Sequence, residues 1–330
     1  MAACDPWNTV RYRGERGGHY ESWFLRANHP SAPRAFWIRY TIFSPKDRPQ
    51  DAVGELWAIA FDREAQRVLA TRSERPIAEC SFSDSITDVR VGDAKLSARE
   101  LTGEARQGTS TIAWDLHYDG TDSPLLLLPQ ARYTTWLPKA KAVTPQPNVR
   151  FSGALVVDGE RWDIDGWLGS QNHNWGSKHT DFYAWGQVAG FDNAPDVFLE
   201  CATARLKIGP LWTPPITLAV LRLPDAEIRL NTIGHGLRAR GTIDGFNWNL
   251  HSQRGDVDLK VRMSAPPEAF AGLTYRNPPG GSKTCLNSKL ARCELTLLRE
   301  GHQPLELTTE HRAAFEILTD NPPAEVPVLL

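Results

Sequence analysis

Residues 151–167 read FSGALVVDGERWDIDGW. A strand runs through Val157, Asp158-Gly159 makes the turn, and a return strand passes through Trp162 and Ile164. Asp-Gly favours the type I′ turn, whose two central residues take positive φ and whose twist suits antiparallel strands. The same alternation recurs on either side. Ala35–Phe43 sets Phe36, Ile38, Tyr40 and Ile42 on one face, with Arg39 and Thr41 opposite. Thr111–Tyr118 sets Ile112, Trp114, Leu116 and Tyr118 against Asp115 and His117. Phe246, Trp248 and Leu250 oppose Asn247 and Asn249, and Val257, Leu259, Val261 and Met263 oppose Asp258, Lys260 and Arg262. Strands of this kind bury one face and wet the other. Asp119-Gly120 and Asp244-Gly245 predict further hairpin turns. Helical periodicity is scarce, and only Pro267–Gly272 suggests a single helical turn. The expected fold is all-β and mainly antiparallel, built as barrels or sandwiches.

A chain of 330 residues exceeds one ordinary core and suits two domains. Pro138–Pro147 contains three prolines with Lys139 and Lys141, and reads as the linker. The expected division is 1–147 and 148–330, with the second domain carrying Asn172–Gly176. An apolar fraction of 41% and a charged fraction of 23% describe a folded globular protein. The net charge is -2 with both signs interspersed, which argues against a nucleic-acid partner. The 12 Trp, 25 Gly and 24 Pro suit short strands around a wide apolar interior.

The start MAACDPW lacks a basic stretch followed by an apolar one, so a cytoplasmic location is expected. The longest apolar run, Leu125–Leu128, is far short of the roughly 20 residues of a membrane helix. Cys4, Cys80, Cys201, Cys285 and Cys293 are an odd number without a secretory signal, which predicts reduced thiols. Cys285 and Cys293 have no His companion nearby, so no metal site is expected.

Residues 166–187 read GWLGSQNHNWGSKHTDFYAWGQ. Gly166, Gly169, Gly176 and Gly186 punctuate strand-like sequence, as at bulges or close backbone approaches near sites. His173 could move a proton near neutral pH, and Asn172 and Asn174 could orient a carbonyl or water. Trp167, Trp175, Trp185 and Tyr183 could wall an apolar pocket, with ring faces able to stabilise a developing cation. A bulged turn whose side chains cap backbone groups would use the same residues. Downstream, Glu200 is the lone acid on a face with Phe198, Ala202, Ala204, Leu206 and Ile208. Burial there would raise its pKa and make it a proton donor, unless it pairs with an Arg such as Arg205. His19, Tyr20 and Glu21, just before Trp23, either line a pocket or begin an alternating strand. There is no G-x-S-x-G, P-loop, G-x-G-x-x-G after a strand, or H-E-x-x-H. Hydrolase, kinase and dinucleotide-enzyme readings therefore lack their usual support.

The run Val149–Gln187, with its Phe-Ser-Gly strand, Asp-Gly hairpin, DGWLGSQNHNWG and YAWGQ, resembles a lipocalin-like superfamily. That group includes carotenoid 1,2-hydratases, AttH-like proteins, tocopherol cyclases and fungal Diels–Alderases. His19–Ala27 (HYESWFLRA) and Tyr275–Ala291 (YRNPPGGSKTCLNSKLA) are similar to parts of it too. The resemblance implies two lipocalin-like β domains, an apolar pocket in or between them, and no metal or organic cofactor. It implies hydration or cyclisation of polyenes, isoprenoid quinols or polyketides. In the carotenoid hydratases a His-x-Trp pair with a downstream Tyr and Asp is associated with activity. His173 and Trp175 match the first pair, whereas Phe198 and Glu200 stand at the downstream distance, so the acid is kept and the Tyr is not. The expected function is a cofactor-independent cyclase or hydratase on a hydrophobic small molecule, with His173 or Glu200 moving the proton. The alternative is a hydrophobic-ligand carrier of lipocalin type. Either would meet its ligand in solution or at a membrane surface.

Overall fold

The computed structural model describes residues 6–330, so Cys4 lies outside the described residues. The first sheet begins with β1 (His19–Asn28), β2 (Arg34–Ser44), β3 (Val53–Asp62) and β4 (Arg67–Pro76). It continues with β5 (Cys80–Phe82), β6 (Asp88–Val91), β7 (Ala94–Ser97), β8 (Glu100–Gln107) and β9 (Ser110–Asp119). The long strands β10 (Ala140–Val157) and β11 (Glu160–Gly176) complete it, in the order β4-β3-β2-β1-β11-β10-β9-β8-β7-β6-β5. Next come β12 (Phe182–Phe191), β13 (Ala194–Arg205) and a small ladder of β14 (Lys207–Ile208) with β15 (Leu211–Trp212). β16 (Ile216–Arg222) and β17 (Glu227–Leu230) precede the helix α1 (Ile233–Arg238). The chain ends with β18 (Arg240–Asp244), β19 (Asn247–Arg254), β20 (Val257–Ser264), β21 (Ala271–Arg276), β22 (Ser282–Arg299) and β23 (Leu305–Thr319). The second sheet runs β17-β16-β13-β12-β23-β22-β20-β19-β18, with β21 also paired to β22. All of its strand pairs are antiparallel, as are those of the first sheet.

Each sheet curls around its own core. In the first, Trp23, Phe36, Tyr40, Trp114, Phe151 and Trp167 meet inside the curl. The Arg106 amide donates to Ser73 Oγ at 2.9 Å, tying β8 to β4 across the fold. In the second, Phe191, Trp248, Met263, Phe270 and Phe315 fill the inside. A third apolar layer, including Phe24, Trp37, Trp57, Trp185 and Phe198, lies between the outer faces of the two sheets.

That middle layer changes the reading of β2. Its Phe36–Ile42 face points into the first core, but Arg39 and Thr41 on the other face are also buried, because the second sheet covers them. β9 and β19 keep the expected wet face, with Asp115, His117, Asn247 and Asn249 exposed.

The hairpin at 151–167 forms as expected. Asp158 and Gly159 take φ of 49° and 86°, and Val157 pairs with Glu160. The linker does not: Pro145 and Pro147 fall inside β10, at register shifts between Val143, Gln146 and Val149. The ladder is interrupted at these shifts, where prolines have no amide hydrogen to donate. The division expected at 147/148 thus cuts a strand paired on both sides within the first sheet. The changeover between sheets lies between Gly176 and Phe182, and Asn172–Gly176 belongs to the first sheet. Asp119-Gly120 makes no hairpin either. The chain there leaves the sheet for a segment tied back where Leu125 bridges Thr144. α1 was too short for a helical period; Thr232 caps it by accepting from the His235 amide.

Gly169 shows why glycines punctuate β11. A Cβ there would lie 1.8 Å from the Arg26 carbonyl oxygen across the β1–β11 seam. Gly169→Ala is expected to lose about 1–3 kcal/mol in a urea titration, the usual cost of overpacking. An unchanged midpoint would contradict this close approach.

Candidate functional site

A cavity of about 380 Å³ opens between the facing outer sides of the two sheets. Phe24 and Arg39 enter it from the first sheet, and Tyr183, Trp185 and Glu200 from the second. Leu127 and Leu128, from the segment between β9 and β10, add to its wall. The registers explain the convergence. Phe24 is the cross-strand neighbour of both Arg39 and Asn172, so all three share the outer face of the first sheet. Glu200 pairs with Gln187 across β12 and β13, and its side chain meets that face.

Glu200 is the one carboxylate at the cavity with no hydrogen bond to a cation among the described residues. Trp185 Nε1 donates to its Oε1 at 3.0 Å, and Thr144 Oγ1 lies 3.0 Å from its Oε2. Thr144 Oγ1 is also 3.1 Å from Asn172 Oδ1 and accepts from Gln187 Nε2 at 3.2 Å. A hydroxyl has one proton to give. Facing the carboxylate, Thr144 donates to Glu200. Facing the acid, it accepts from Glu200 and donates to Asn172. Both protonation states are therefore satisfied by one hydroxyl rotation. Gln187 is itself fixed, accepting from Arg26 Nε at 3.0 Å and Ser170 Oγ at 2.6 Å while donating to Asn172 at 2.8 Å. Burial pushes the Glu200 pKa up to about 7; the bonds from Trp185 and Thr144 and the more distant Arg26 charge offset it only in part.

This has a stability consequence. A raised carboxyl pKa favours the folded state below the ordinary value of 4.5, and that benefit is lost as pH rises through about 7. The span corresponds to about 3 kcal/mol. Glu200→Gln, which cannot ionise, should therefore gain stability relative to the parent as pH climbs from about 5 to about 8. Parallel urea titrations read it, and a pH-independent difference would contradict the buried proton.

His173 sits on the opposite face of β11. Its ring stacks on Trp23 at 4.8 Å and packs against Trp175 at 4.8 Å. Both ring nitrogens meet acceptors: Nδ1 lies 2.7 Å from the Trp7 carbonyl, and Nε2 lies 2.8 Å from Glu21 Oε1. Glu21, fully buried, also meets His19 Nε2 at 3.0 Å and accepts from the Arg11 and Tyr12 amides at 2.8 and 2.9 Å. Burial works against the Glu21 charge, but the bonds from His173 and His19 outweigh it and hold its pKa at about 2. Burial likewise opposes the His19 charge, but Glu15 and Glu21 raise its pKa to about 9. His173 and Glu200 thus both border the cavity, but the His173 ring turns to Trp23, Trp7 and Glu21 on the other face of β11.

Of the other expected residues, Asn172, Asn174, Tyr183 and Trp185 border the cavity. Trp167 lies in the core of the first sheet beside Phe36, and Trp175 packs on Tyr133 and Val143. These two do not line the cavity. Arg205 is not the partner of Glu200; its guanidinium lies over Trp212. Sequence reasoning passed over Thr144, Gln187, Arg26 and Arg39. Gln187 ends the Gly166–Gln187 block and Arg39 lies on the face of β2 that alternation assigns to water, so no local pattern marks either as buried. Cys201, Cys285 and Cys293 are buried free thiols and Cys80 is half-buried. No helix among the described residues is long and apolar enough to cross a membrane.

No protein-family model matches the chain. Two curated proteins of Mycobacterium tuberculosis, strains CDC 1551 and H37Rv, are each 26% identical over 290 residues. The match covers 87% of this chain and 83% of each relative, and both are described as uncharacterised. Among solved structures, a Nitrosomonas europaea protein assigned as AttH superposes with a TM-score of 0.56 at 12% identity, over 97% of this chain and 99% of its own. Kievitone hydratase of Nectria haematococca gives 0.55 at 14% identity, over 97% and 96%. CghA gives 0.51 at 11% identity, over 92% and 88%. The chain therefore shares the all-β fold of the AttH protein and of kievitone hydratase.

Proposed function

We propose that the protein is an enzyme of hydratase or cyclase type that protonates a hydrophobic, alkene-bearing small molecule in the cavity between its two sheets. The observation that carries this reading is Glu200: a buried carboxyl, set to titrate near neutral pH, facing an apolar cavity with a hydroxyl relay ready for either state. Pairing a raised carboxyl pKa with a dry pocket is how a side chain keeps a transferable proton at neutral pH. The Glu200 acid gives its proton to an alkene carbon, leaving a carboxylate and a substrate cation. Water, or a nucleophile within the substrate, closes on the cation. The carboxylate then takes back the proton that this nucleophile releases. Trp185, which bonds Glu200 and packs edge-on against Phe24 at 6.1 Å, stands beside the developing charge. Tyr183 shapes the wall, and Asn172 sets the proton direction through Thr144. His173 acts through position: with Glu21 it fixes β1 against β11 behind the cavity. The fold shared with kievitone hydratase supports a hydration chemistry without naming a substrate.

Incubation with polyene, terpenoid and polyketide candidates in deuterated water tests this. The reading expects one non-exchangeable deuterium at carbon in the product. A ligand bound and recovered unchanged, with no deuterium, would favour a carrier.

A further inference from the structure

Arg39 is the unexplained cation of the cavity. It is 4% exposed, yet no carboxylate lies within ion-pair distance among the described residues, and its Nε has no hydrogen-bond partner. Its guanidinium rests against aromatic faces, 4.6 Å from the Tyr275 ring centre and 5.9 Å from those of Trp37 and Trp57. These rings stabilise a cation without neutralising it. The neighbouring His179 is kept neutral and adds no second positive charge beside it. Burial, then the Arg39 charge, holds the His179 pKa down at about 3, and its Nε2 is spent on the Arg276 carbonyl. A buried, uncompensated charge is costly, and proteins retain one where a counter-charge arrives. Arg39 borders the cavity that also exposes Glu200. Between the two stands the Phe24–Trp185 pair: Phe24 is the cross-strand neighbour of Arg39, and Trp185 bonds Glu200. The cavity thus offers a cation at Arg39, an apolar waist at Phe24 and Trp185 and an acid at Glu200; its other charged lining residues are Arg132, Lys141 and Glu316, the last paired with Lys289.

We propose that the ligand is an amphiphile whose oxyanion head, a carboxylate or an enolate, docks on Arg39 while its hydrocarbon part crosses the waist toward Glu200. This rests on the cavity being the ligand site. A planar guanidinium can grip both oxygens of a carboxylate head at once, or the single oxygen of an enolate. The head fixes which carbon meets the Glu200 proton, so Arg39 is a binding and register-setting residue.

Matched probes test it: all-trans retinoic acid, retinol and methyl retinoate, titrated against the full chain by tryptophan-fluorescence quenching at neutral pH. The expected result is at least about tenfold tighter binding of the acid than of the alcohol or ester. Arg39→Met should abolish that preference while leaving retinol affinity within about threefold, and Arg39→Lys should keep part of it. A thermal melt of Arg39→Met is expected to match or exceed the parent, since a buried cation is removed. Equal affinities for acid and alcohol in the parent, or a preference that survives Arg39→Met, overturn the proposal and leave the cavity assignment standing. No binding of any of the three, to a folded parent, overturns the cavity assignment itself and the proposal with it. Should Arg39→Met fail to fold, the parent's acid-to-alcohol ratio and Arg39→Lys still decide.

Discussion

Glu200→Gln is expected to lower turnover of a converted alkene by about 10²–10⁴-fold, the usual contribution of a positioned general acid. The amide is close in shape to the acid. It can still accept from Trp185 and exchange a hydrogen bond with Thr144, so ligand affinity should change by less than about threefold. The loss would then fall on kcat with KM nearly constant, the mark of an interaction made in the transition state. In the parent, activity should decline as pH rises through about 7, because the proton to be given is lost there. Deuterium incorporation at carbon should slow in the same variant by the same factor. Unchanged turnover in Glu200→Gln would remove Glu200 from the chemistry. His173→Ala separates the two candidates: with both its nitrogens committed behind β11, its loss should appear mainly in stability.

The second large effect is structural. Glu21→Gln should cost about 3–5 kcal/mol, the range for breaking a buried ion pair from one side. The carboxylate accepts two amides and two imidazoles, and it anchors the segment around Arg11 and Tyr12 to β1. Its lowered pKa means that its contribution is present above 4.5 and is lost as pH falls toward about 2. The raised pKa of His19 means that its contribution is complete below 6.5 and is lost as pH rises through about 9. The stability gap between parent and Glu21→Gln should therefore peak between 4.5 and 6.5 and narrow on both sides. Urea titrations across that range measure it. A gap under about 1 kcal/mol at its maximum would show that Glu21 is replaceable, as exposed pairs are.

Strand alternation and the Asp158-Gly159 turn made the all-β class readable, because both depend on residues near in sequence. The prolines of Pro138–Pro147 read as a linker, but Pro145 and Pro147 sit at register shifts inside β10, where the ladder can do without their amide hydrogens. Glu200 was legible as an acid on an apolar face. Its partners were not: Thr144 and Arg26 come from distant strands, and only the packing of one sheet on the other brings them together. The same packing dries the Arg39 face of β2, which alternation alone assigns to water. Trp167 and Trp175 show the converse. Their place in a Gly- and Trp-rich block suggested a ligand wall, but strand parity turns their side chains to the inner face of β11, and neither lines the cavity.

The most direct test of the central claim is the protonation of Glu200 itself. Infrared difference spectra of the parent minus Glu200→Gln, taken from about pH 5 to about pH 9, should contain a protonated-carboxyl C=O band. That band should fade with a midpoint near 7. A band that fades near the ordinary 4.5, or none at about pH 6, would contradict a transferable proton held in the cavity.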